Sequence, residues 1–459
     1  MSVNESHASA RATEARDVLD QYIGAVTDGV AVSVLHTTER RGEYVAVDGA
    51  LEQVGERVDG QVLVRLDDGR REVLTTASVH ESPSDVVARA RAVLDQLAAP
   101  TDAGPPRAGT ARVVEGGGEW VRPGAWLPTR DVSAVAAALT GPGRVSGTRE
   151  LRCHQEERVV RFADGSGGSG TYVTRRAAIA LRYSHDGTAG TGHSDHTDHG
   201  PSLGTLLARA EETMAGEAAR EARLFADGRR GGVASQEAPA HDTVILSGAV
   251  AGQLLALLLP GLGADAVAQD RSPFGDDLAV VVAPSGTRLT DDPHAEDGPL
   301  WAPFDDEGVL TSARPLVDEG RVVALLGDLR WATTSPLAAP GSAWRYWSGH
   351  VPRPGPSNVV VDGDRAPHPG GTVLRIVQVQ GVHLANEVTG EVSVGASAVL
   401  EGPDGSELGV TGLSLAGNVR TMLRRSALLE GPARWSAGHG GFVRCPDVLL
   451  DGLTVGGLS

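Results

Sequence analysis

The sequence predicts an α+β protein: an N-terminal helix and antiparallel-sheet region, followed by a β-rich, barrel- or sandwich-like C-terminal domain with one buried helix. Residues 30–78 alternate apolar and polar side chains between two amphipathic helical segments. After residue 243, short strand-like runs separated by turn residues continue to the end, interrupted by the apolar segment 249–259. We divide the chain into an N-terminal α+β region (1–100), the second part of the N-terminal half (101–240) and the C-terminal domain (241–459).

The first region begins with apolar side chains at helical spacing in residues 10–27, which predict an amphipathic helix. Asp59-Gly60 and Asp68-Gly69 are turn signals in the stretch that follows. Ser82-x-x-Asp85 opens a second helix. The predicted strands are Val30–Leu35, Tyr44–Val47, Gln61–Leu66 and Glu72–Thr75.

The second region begins with residues 99–118, which are rich in proline, glycine and alanine and predict a loop or linker. Asp131 is a candidate N-cap for a short helix. Strands are predicted at Val159–Phe162 and Thr171–Leu181, with a flexible hairpin tip between them. Residues 203–224 carry apolar side chains at helical spacing and predict a long amphipathic helix.

Residues 187–200 hold the densest group of potential metal ligands. These are His193, Asp195, His196, Asp198 and His199. Imidazoles and carboxylates at such spacing suit zinc or nickel. However, the segment is rich in glycine and threonine and shows no regular scaffold, whereas a metal site needs supporting contacts around its ligands. A solvated loop is therefore the favoured interpretation, and a metal site is the alternative.

The C-terminal domain contains the apolar helix 249–259, which Ser247 can cap and Pro260-Gly261 should end. A helix with almost no polar face belongs in a core. A second helix is predicted at 417–429, capped by Asn418. The strand candidates are Val280–Val282, Val322–Leu326, Asn358–Val361, Val373–Val379, Val392–Leu400, Gly409–Leu415 and Val448–Val455.

Composition excludes several classes of function. The net charge of −18 opposes binding to a phosphate backbone, so we expect no nucleic-acid partner. No lysine is present, which removes Schiff-base chemistry through a lysine side chain. Cys153 and Cys445 cannot form a disulfide framework, which fits a reducing cytoplasm. The N-terminus lacks the apolar segment of a signal peptide, and no apolar run is long enough for a transmembrane helix.

Two acidic blocks, Asp291-Asp292-Pro293 and Asp305-Asp306-Glu307-Gly308, have two interpretations. Paired carboxylates can perform acid–base hydrolysis. Aspartate, proline and glycine also favour turns, and we prefer that interpretation because paired acids need a substrate pocket to act. No serine lies in the strand–turn–helix setting of an activated nucleophile.

An ordered set of motifs surrounds the apolar helix. After it come Gly261-Leu262-x-x-Asp265 and Ser272-x-Phe274, then the two acidic blocks, and finally Leu453-Thr454-Val455-Gly456-Gly457. In this order the chain resembles the TldD/PmbA family of metallopeptidase-related proteins, most strongly from residue 203 onward. The resemblance implies a β-barrel-like C-terminal domain, and a helix at 203–224 that links the two halves.

The same resemblance implies that this chain lacks the zinc-binding residues of the active branch. In the active TldD branch the apolar helix carries His-Glu-x-x-x-His, whose histidines hold zinc and whose glutamate handles the proton. At those positions this chain has Leu255, Ala256 and Pro260, none of which can bind a metal or move a proton. The family's late cysteine ligand is also missing, because residues 434–440 contain none. The chain therefore resembles the TldE (PmbA) branch, which lacks the zinc motif.

Further sequence blocks also resemble the TldD/PmbA family, and the resemblance implies that they line or support the region where an extended peptide is held. These residues are Gly381, His383, Asn386, Thr389, Gly390 and Ser393. Addition of a strand to a sheet edge would bind peptides of varied sequence. A plain hairpin with a Thr-Gly turn is the alternative. We interpret Cys445, outside these blocks, as a small core residue.

The resemblance implies a non-catalytic subunit of a heterodimeric, cytoplasmic, bacterial zinc metallopeptidase that trims or degrades unfolded peptides. Its partner would be a TldD-like subunit that supplies the zinc; this chain would carry no cofactor, would be inactive without that partner and would help enclose a peptide chamber. One alternative is a stand-alone metal-dependent hydrolase that uses residues 193–199. Another is a regulatory module that binds peptides without catalysis.

Overall fold

The computed structural model describes residues 18–26, 30–97, 118–141, 147–230, 242–275, 281–345, 351–438 and 440–457. Within these ranges the protein is α+β, as the sequence predicts, with a β-rich C-terminal region. Most of the predicted linker at 99–118 lies outside the described residues, as do His439 and the start of the predicted strand at Val280.

The N-terminal half is built on one seven-stranded sheet with the order β3-β2-β1-β5-β6-β4, in which β7 also pairs with β6. Because β1 and β5 pair over most of their length, the two parts of the N-terminal half share this sheet. The strands are β1 Ala31–Val47, β2 Ala50–Asp67, β3 Glu72–Ser78, β4 Gly118–Val121, β5 Arg149–Asp164, β6 Ser169–Gly187 and β7 Gly190–Gly200.

The strands are longer than predicted, because β1 joins two predicted strands into one. The turn predicted at Asp59-Gly60 is wrong: both residues lie inside β2 and pair with Glu39 and Thr38 of β1. The hairpin turns instead at Asp48-Gly49, where φ is 47° and 89°. Both positive values match the type I′ turn that Asp-Gly favours, so the sequence carried this signal too. The turn predicted at Asp68-Gly69 is present.

Helices cover one face of this sheet. The linking helix contains a π segment at Ala210–Met214, and it packs against β6 and β7 and against a strand of the C-terminal half. Asp131, the predicted N-cap, lies instead in the first turn of its helix. Pro128 occupies the N-cap position. The helices are α1 (residues 18–24), α2 Pro83–Gln96, α3 Thr129–Thr140, α4 Leu203–Arg209 and α5 Ala215–Asp227.

The loop predicted for residues 187–200 is wrong, because residues 190–200 form β7, which pairs with β6 from Ala177↔Gly200 to Gly187↔Gly190. Local composition suggested a loop, since glycine and aspartate are depleted in strands. The neighbouring strand and helix α5 override that preference: a Cβ at Gly192 would lie 2.3 Å from the Ala222 carbonyl oxygen, so only glycine allows α5 to approach so closely.

The C-terminal half contains two larger sheets. The first has the order β18-β22-β25-β9-β19-β20-β21-β26, and β8 also pairs with β21. The second has the order β12-β11-β10-β17-β24-β23. The strands of the first sheet are β8 Arg229–Arg230, β9 Thr243–Leu246, β18 Arg365–Ala366, β19 Val373–Gln380, β20 Glu391–Glu401, β21 Glu407–Asn418, β22 Ala427–Leu429, β25 Val448–Leu449 and β26 Leu453–Gly457. Those of the second are β10 Arg288–Asp291, β11 Arg314–Asp318, β12 Arg321–Val322, β17 Asn358–Asp362, β23 Arg434–Gly438 and β24 Gly441–Cys445.

Short pairs and helices complete this half. The two-stranded pairs are β13 Leu325–Leu326 with β14 Ala338–Ala339, and β15 Ala343–Trp344 with β16 Arg353–Pro354. The helices are α6 Gly248–Ala256, α7 Ala264–Ala268 and α8 Val419–Arg425. Asn418 caps α8 as predicted, but the helix is shorter than predicted because Ala427–Leu429 form β22.

Helix α6 is buried, as predicted, in a core to which both large sheets contribute side chains. The hydroxyl of Ser247 caps it by accepting a hydrogen bond from the Val250 amide. The α-helix ends at Ala256, and a 3-10 turn follows at Leu259–Leu262. Pro260 and Gly261 therefore belong to that turn and not to the α-helix. In the described part of the chain, no helix is long and apolar enough to cross a membrane.

Aromatic and charged side chains join the two halves. Phe304 and Trp344 pack on Phe162 and Tyr172 of the N-terminal sheet. Beside them the buried guanidinium of Arg122 donates to the carbonyls of Glu296 and Gly298, at 3.1 and 2.6 Å. The junction is thus partly apolar and partly a set of buried polar bonds.

Candidate functional site

A groove opens where α6 ends. Its cavity of about 640 Å³ is within the usual range for ligand sites. It is lined by Pro260, Gly261, Asp265, Ala266, Arg271, Trp344, Arg353, Pro354, Gly355, Pro356, Glu387, Val388, Gly438 and Gly440. The groove therefore brings together the end of the apolar helix, the region of the missing cysteine and the 381–390 segment, which are far apart in sequence.

The motif after α6 fixes the floor of this groove. The Ser272 hydroxyl donates to the Gly261 carbonyl at 2.7 Å and accepts from the Phe274 amide at 3.2 Å. Phe274 is buried, which anchors the segment. Asp265 pairs with Arg271 at 3.1 Å, and its burial raises the pKa of the Asp265 carboxyl. Gly261-Leu262-x-x-Asp265 and Ser272-x-Phe274 thus shape the groove, and their contacts are structural.

The three positions of the missing zinc motif do not offer a metal site. Leu255 and Ala256 are buried in the core, and Pro260 is half-buried. A Cβ on Gly438 would lie 2.2 Å from the Ala256 Cβ, and a Cβ on Gly440 would lie 2.5 Å from the Pro260 Cδ. The backbone leading from β23 to β24 therefore lies directly on the helix end. It fills the space that imidazole and carboxylate groups would need, so the residues present do not fit a zinc ion.

The 381–390 segment forms the opposite wall. Gly381 takes a φ of 89° at the start of a 3-10 turn, and Gly390 takes 76°. The Asn386 side-chain oxygen accepts from the amides of Val388 and Thr389, at 3.0 and 3.1 Å. The Asn418 amide donates to the Thr389 carbonyl at 2.8 Å, which ties the segment to α8. Four of the six predicted peptide-binding residues therefore serve to fold this loop.

The remaining two predicted residues, His383 and Ser393, are exposed. Ser393 lies on β20, which pairs with β21 along its length and with β19 from Gly395 onward. The outermost strands on the path through this sheet are β18 and β26.

The tip of the loop formed by residues 381–390 is apolar: Leu384 is 77% exposed and Val388 is 46% exposed. Sequence reasoning missed these two side chains, although each stands beside a predicted site residue.

The potential metal ligands on β7 have separate protein partners. The His193 ring bonds the Ser184 hydroxyl at 2.8 Å, and the His196 ring bonds Glu221 at 2.9 Å. Asp198 pairs with Arg209 at 3.2 Å. His199 packs on Phe442, and burial lowers its pKa to about 4. In the ranges that the structure covers, no three His, Cys, Asp or Glu side chains are grouped so that they could hold a metal.

The acidic blocks organise turns. Asp291 accepts from the amide and the hydroxyl of Ser357, both at 2.7 Å. Asp305 accepts from the amides of Glu307 and Val309, and Gly308 takes a φ of 80°. Asp291, Asp305, Asp306 and Glu307 are buried and Asp292 is half-buried, and none of them lines the groove at the end of α6. Their contacts are those of the turn interpretation.

Asp328 lies beside this acidic turn and gives a pH prediction. Its burial, followed by the nearby charge of Glu307, raises its pKa to about 7. The folded chain therefore keeps a proton that the unfolded chain releases near pH 4, so the contribution to stability is full below pH 4 and is lost as pH rises through 7. We expect Asp328→Asn to match the wild type near pH 4 and to exceed its unfolding free energy by on the order of 1–3 kcal/mol at pH 8.

Urea unfolding across this pH range measures the difference. Asp362→Asn, at an exposed position on β17, is the control and should show no such trend. A difference between Asp328→Asn and the wild type that stays constant from pH 4 to 8 would contradict the prediction.

Comparisons with known proteins agree with this geometry. A sequence profile described as the PmbA/TldA metallopeptidase C-terminal domain matches residues 239–457. A comparison with curated proteins found no match.

Three solved structures share the fold. TldE from Thermococcus kodakarensis aligns over 96% of this chain and 99% of its own, with a TM-score of 0.74 and 16% identity. A protein from Thermotoga maritima, described as a modulator of a DNA gyrase, aligns over 96% and 99%, with a TM-score of 0.71 and 19% identity. A Bacteroides thetaiotaomicron protein with a similar description aligns over 96% and 98%, with a TM-score of 0.70 and 15% identity. The profile thus assigns residues 239–457 to the PmbA/TldA metallopeptidase C-terminal domain, and the shared fold over nearly the whole chain supports the resemblance to the TldD/PmbA family.

Proposed function

We propose that this chain is the non-catalytic, TldE-like subunit of a heterodimeric zinc metallopeptidase that trims or degrades unfolded peptides. The observation that carries the proposal is the packing of the β23–β24 hairpin on the end of α6. Leu255, Ala256 and Pro260 have no ligand atoms, and glycine backbone lies directly beside Ala256 and Pro260. A TldD-like partner would supply the zinc and the glutamate.

The groove at the end of α6 would then hold part of the peptide. Val388 lines this groove, and Leu384 is exposed on the same loop; both suit contact with apolar side chains of an unfolded substrate. Asp265, Arg271 and Arg353 place charged groups along the same groove, where they can contact the peptide's polar groups. A mixture of apolar and charged walls accommodates peptides of varied sequence.

Two further observations bear on the alternatives. The stand-alone hydrolase that uses residues 193–199 loses support, because the side chains of β7 are bound to separate partners. The two cysteines are buried and free, which supports a cytoplasmic location. Binding of peptides without a TldD-like partner remains the property that would favour a regulatory module.

Co-expression with a TldD-like protein tests the proposal. We expect a defined heterodimer on size exclusion with light scattering, since an obligate interface typically buries more than roughly 2,000 Å². The complex should contain zinc and cleave unfolded peptides, whereas this chain alone should contain substoichiometric zinc and cleave none.

The matched control replaces the glutamate of the partner's His-Glu-x-x-x-His with glutamine. That complex should assemble with zinc and lose activity, because its general base is gone. A chain that never associates with such a partner, or that holds one zinc and cleaves peptides alone, would overturn the proposal.

A further inference from the structure

A strip of the N-terminal sheet lies between two groups of helices on the helix-covered face. On one side α1 and α2 pack on the part of the sheet that contains Val34 and Val64. On the other side α3, α4 and α5 pack on the part that contains Tyr44 and Ile179. The strip between these two cores carries polar and apolar side chains of β1, β5 and β6 that belong to neither core.

Strand register defines two rows in this strip. In the first row His36 of β1 lies opposite Arg161 of β5, which lies opposite Thr171 of β6. The next row on the same face contains Thr38, Val159 and Val173. Because alternate residues of a strand point to one face, both rows face the same way as the two helical cores.

The guanidinium of Arg161 is buried without an acid beside it. Arg161 is 8% exposed, its Nε has no hydrogen-bond partner, and no ion pair joins it to an acid of the described residues. Glu119 of β4 stands at the end of the same row and attracts Arg161 from beyond ion-pair distance. Other arginines whose Nε lacks a partner, such as Arg209 and Arg444, form ion pairs through the same guanidinium.

His36 is the second buried polar side chain of this row. It is also 8% exposed, and its Nδ1 is enclosed without a hydrogen-bond partner. Burial, and then the charge of Arg161, lowers the pKa of His36 to about 4, so the ring is neutral near pH 7 and keeps one N–H donor. Opposite residues of antiparallel strands have Cβ atoms about 4.5–5.5 Å apart, so both side chains can bond to one ligand.

A buried guanidinium without an anion is costly, since a charge taken out of water needs a partner. Burial lowers the pKa of the Arg161 guanidinium, which is the direction expected for this cost. A carboxylate would offset it, because the guanidinium donates parallel hydrogen bonds to the two carboxylate oxygens. One guanidinium beside a neutral imidazole matches a single negative charge, and the charge of Glu119 opposes a second one.

Apolar side chains continue from this polar pair. Val159 and Val173 are half-buried neighbours, and Val121 of β4, which lies opposite Val173, is 56% exposed. None of these three valines belongs to a hydrophobic core of the described residues. Because neighbouring strands are about 4.8 Å apart, the valine row extends about 10 Å from β5 to β4, enough to contact a short alkyl chain.

We propose that this strip binds a small monocarboxylic acid, with its carboxylate between Arg161 and His36 and its alkyl chain along the valine row. The deep burial of both polar side chains favours a small ligand over a macromolecular surface. The proposal goes beyond the peptidase function and concerns the isolated chain, so it does not depend on a TldD-like partner.

Binding to the isolated full chain is measured by calorimetry with butyrate, its neutral amide butyramide, acetate and inorganic phosphate, at constant ionic strength. We expect butyrate to bind at least about tenfold more tightly than butyramide, because the amide forms no charge-assisted hydrogen bond. Acetate should bind about tenfold more weakly than butyrate, since two methylene groups are lost. Butyrate should also shift the imidazole NMR signal of His36, which is identified by its absence in His36→Asn.

Arg161→Met separates binding from structure. It removes a buried charge without a partner, so it should be at least as stable as the wild type in urea and should lose the preference for butyrate over butyramide. If this variant does not fold, the wild type supplies the test: butyrate should raise its unfolding temperature and butyramide should not. The matched control is Arg152→Met, also on β5, which removes an exposed ion pair with Glu150 and should bind butyrate as the wild type does.

The outcomes that contradict the proposal are distinct. Equal binding of butyrate and butyramide, or undiminished binding of butyrate by Arg161→Met, would show that Arg161 holds no carboxylate. Tighter binding of phosphate than of butyrate would overturn the monocarboxylate, and equal binding of acetate and butyrate would overturn the role of the valine row. Because no partner subunit takes part in these measurements, each of these results leaves the proposed peptidase function standing.

Discussion

Restoring the family's zinc motif, as Leu255→His, Ala256→Glu and Pro260→His together, is expected to unfold the C-terminal domain and to create no zinc site. Leu255 lies in the main core, where loss of a large apolar side chain removes about 2–5 kcal/mol. Ala256 is fully buried, so a glutamate there would carry a carboxyl group into the core. Together these losses approach the roughly 5–15 kcal/mol by which domains are stable.

A steric reason also opposes a zinc site in the triple variant, whatever ligand atoms the new side chains carry. The backbone at Gly438 and Gly440 contacts Ala256 and Pro260, so the new side chains have no room to converge on an ion. Circular dichroism during urea unfolding measures the loss of stability, and elemental analysis measures zinc. Two control variants accompany the triple variant. Leu255→Met conserves volume and should lower the unfolding free energy by less than about 1.5 kcal/mol. Leu384→His, at the exposed loop tip, should leave the unfolding free energy close to that of the wild type. A soluble triple variant with one tightly bound zinc per chain would refute this view of the site.

Arg122→Met is expected to destabilise the contact between the two halves by about 3–5 kcal/mol, as when one partner of a buried polar set is removed. Arg122 is 3% exposed, and its guanidinium donates to the carbonyls of Ala295, Glu296 and Gly298 at 3.3, 3.1 and 2.6 Å. Methionine fills much of the volume but donates no hydrogen bond. The three carbonyls then lose this donor, and each loss is worth about 1–3 kcal/mol when no water replaces it.

The unfolding midpoint measures the loss of stability. Hydrogen exchange and limited proteolysis at residues 295–299 show whether the contact between the two halves has loosened. The matched control is Arg288→Met, which removes an exposed ion pair with Asp318 in the same half of the chain. Exposed pairs contribute about 0–1 kcal/mol, so this variant should stay near the wild type. If Arg122→Met unfolds at the same midpoint as Arg288→Met and residues 295–299 stay protected, Arg122 does not hold the halves together.

Local sequence determined the elements whose signals are contained within a few residues. Ser247 caps α6 and Asn418 caps α8, because an N-cap needs only one oxygen and an amide within the next turn. The apolar run after Ser247 predicted a buried helix, since such a segment has no face for water. The same segment showed that the zinc-motif positions hold no ligand atoms, because the identity of a side chain settles what it can coordinate.

Only the tertiary structure decided the features that depend on neighbours distant in sequence. Residues 190–200 form a strand because β6 supplies hydrogen bonds and α5 packs on Gly192, and neither partner can be read from the glycine-rich segment itself. Arg41, Glu156 and Arg176 come from β1, β5 and β6, so strand register alone places them in one row. Arg122 gave no local signal, since its acceptors lie more than 170 residues away. A sequence specifies which groups are present, whereas chain folding specifies which of them meet.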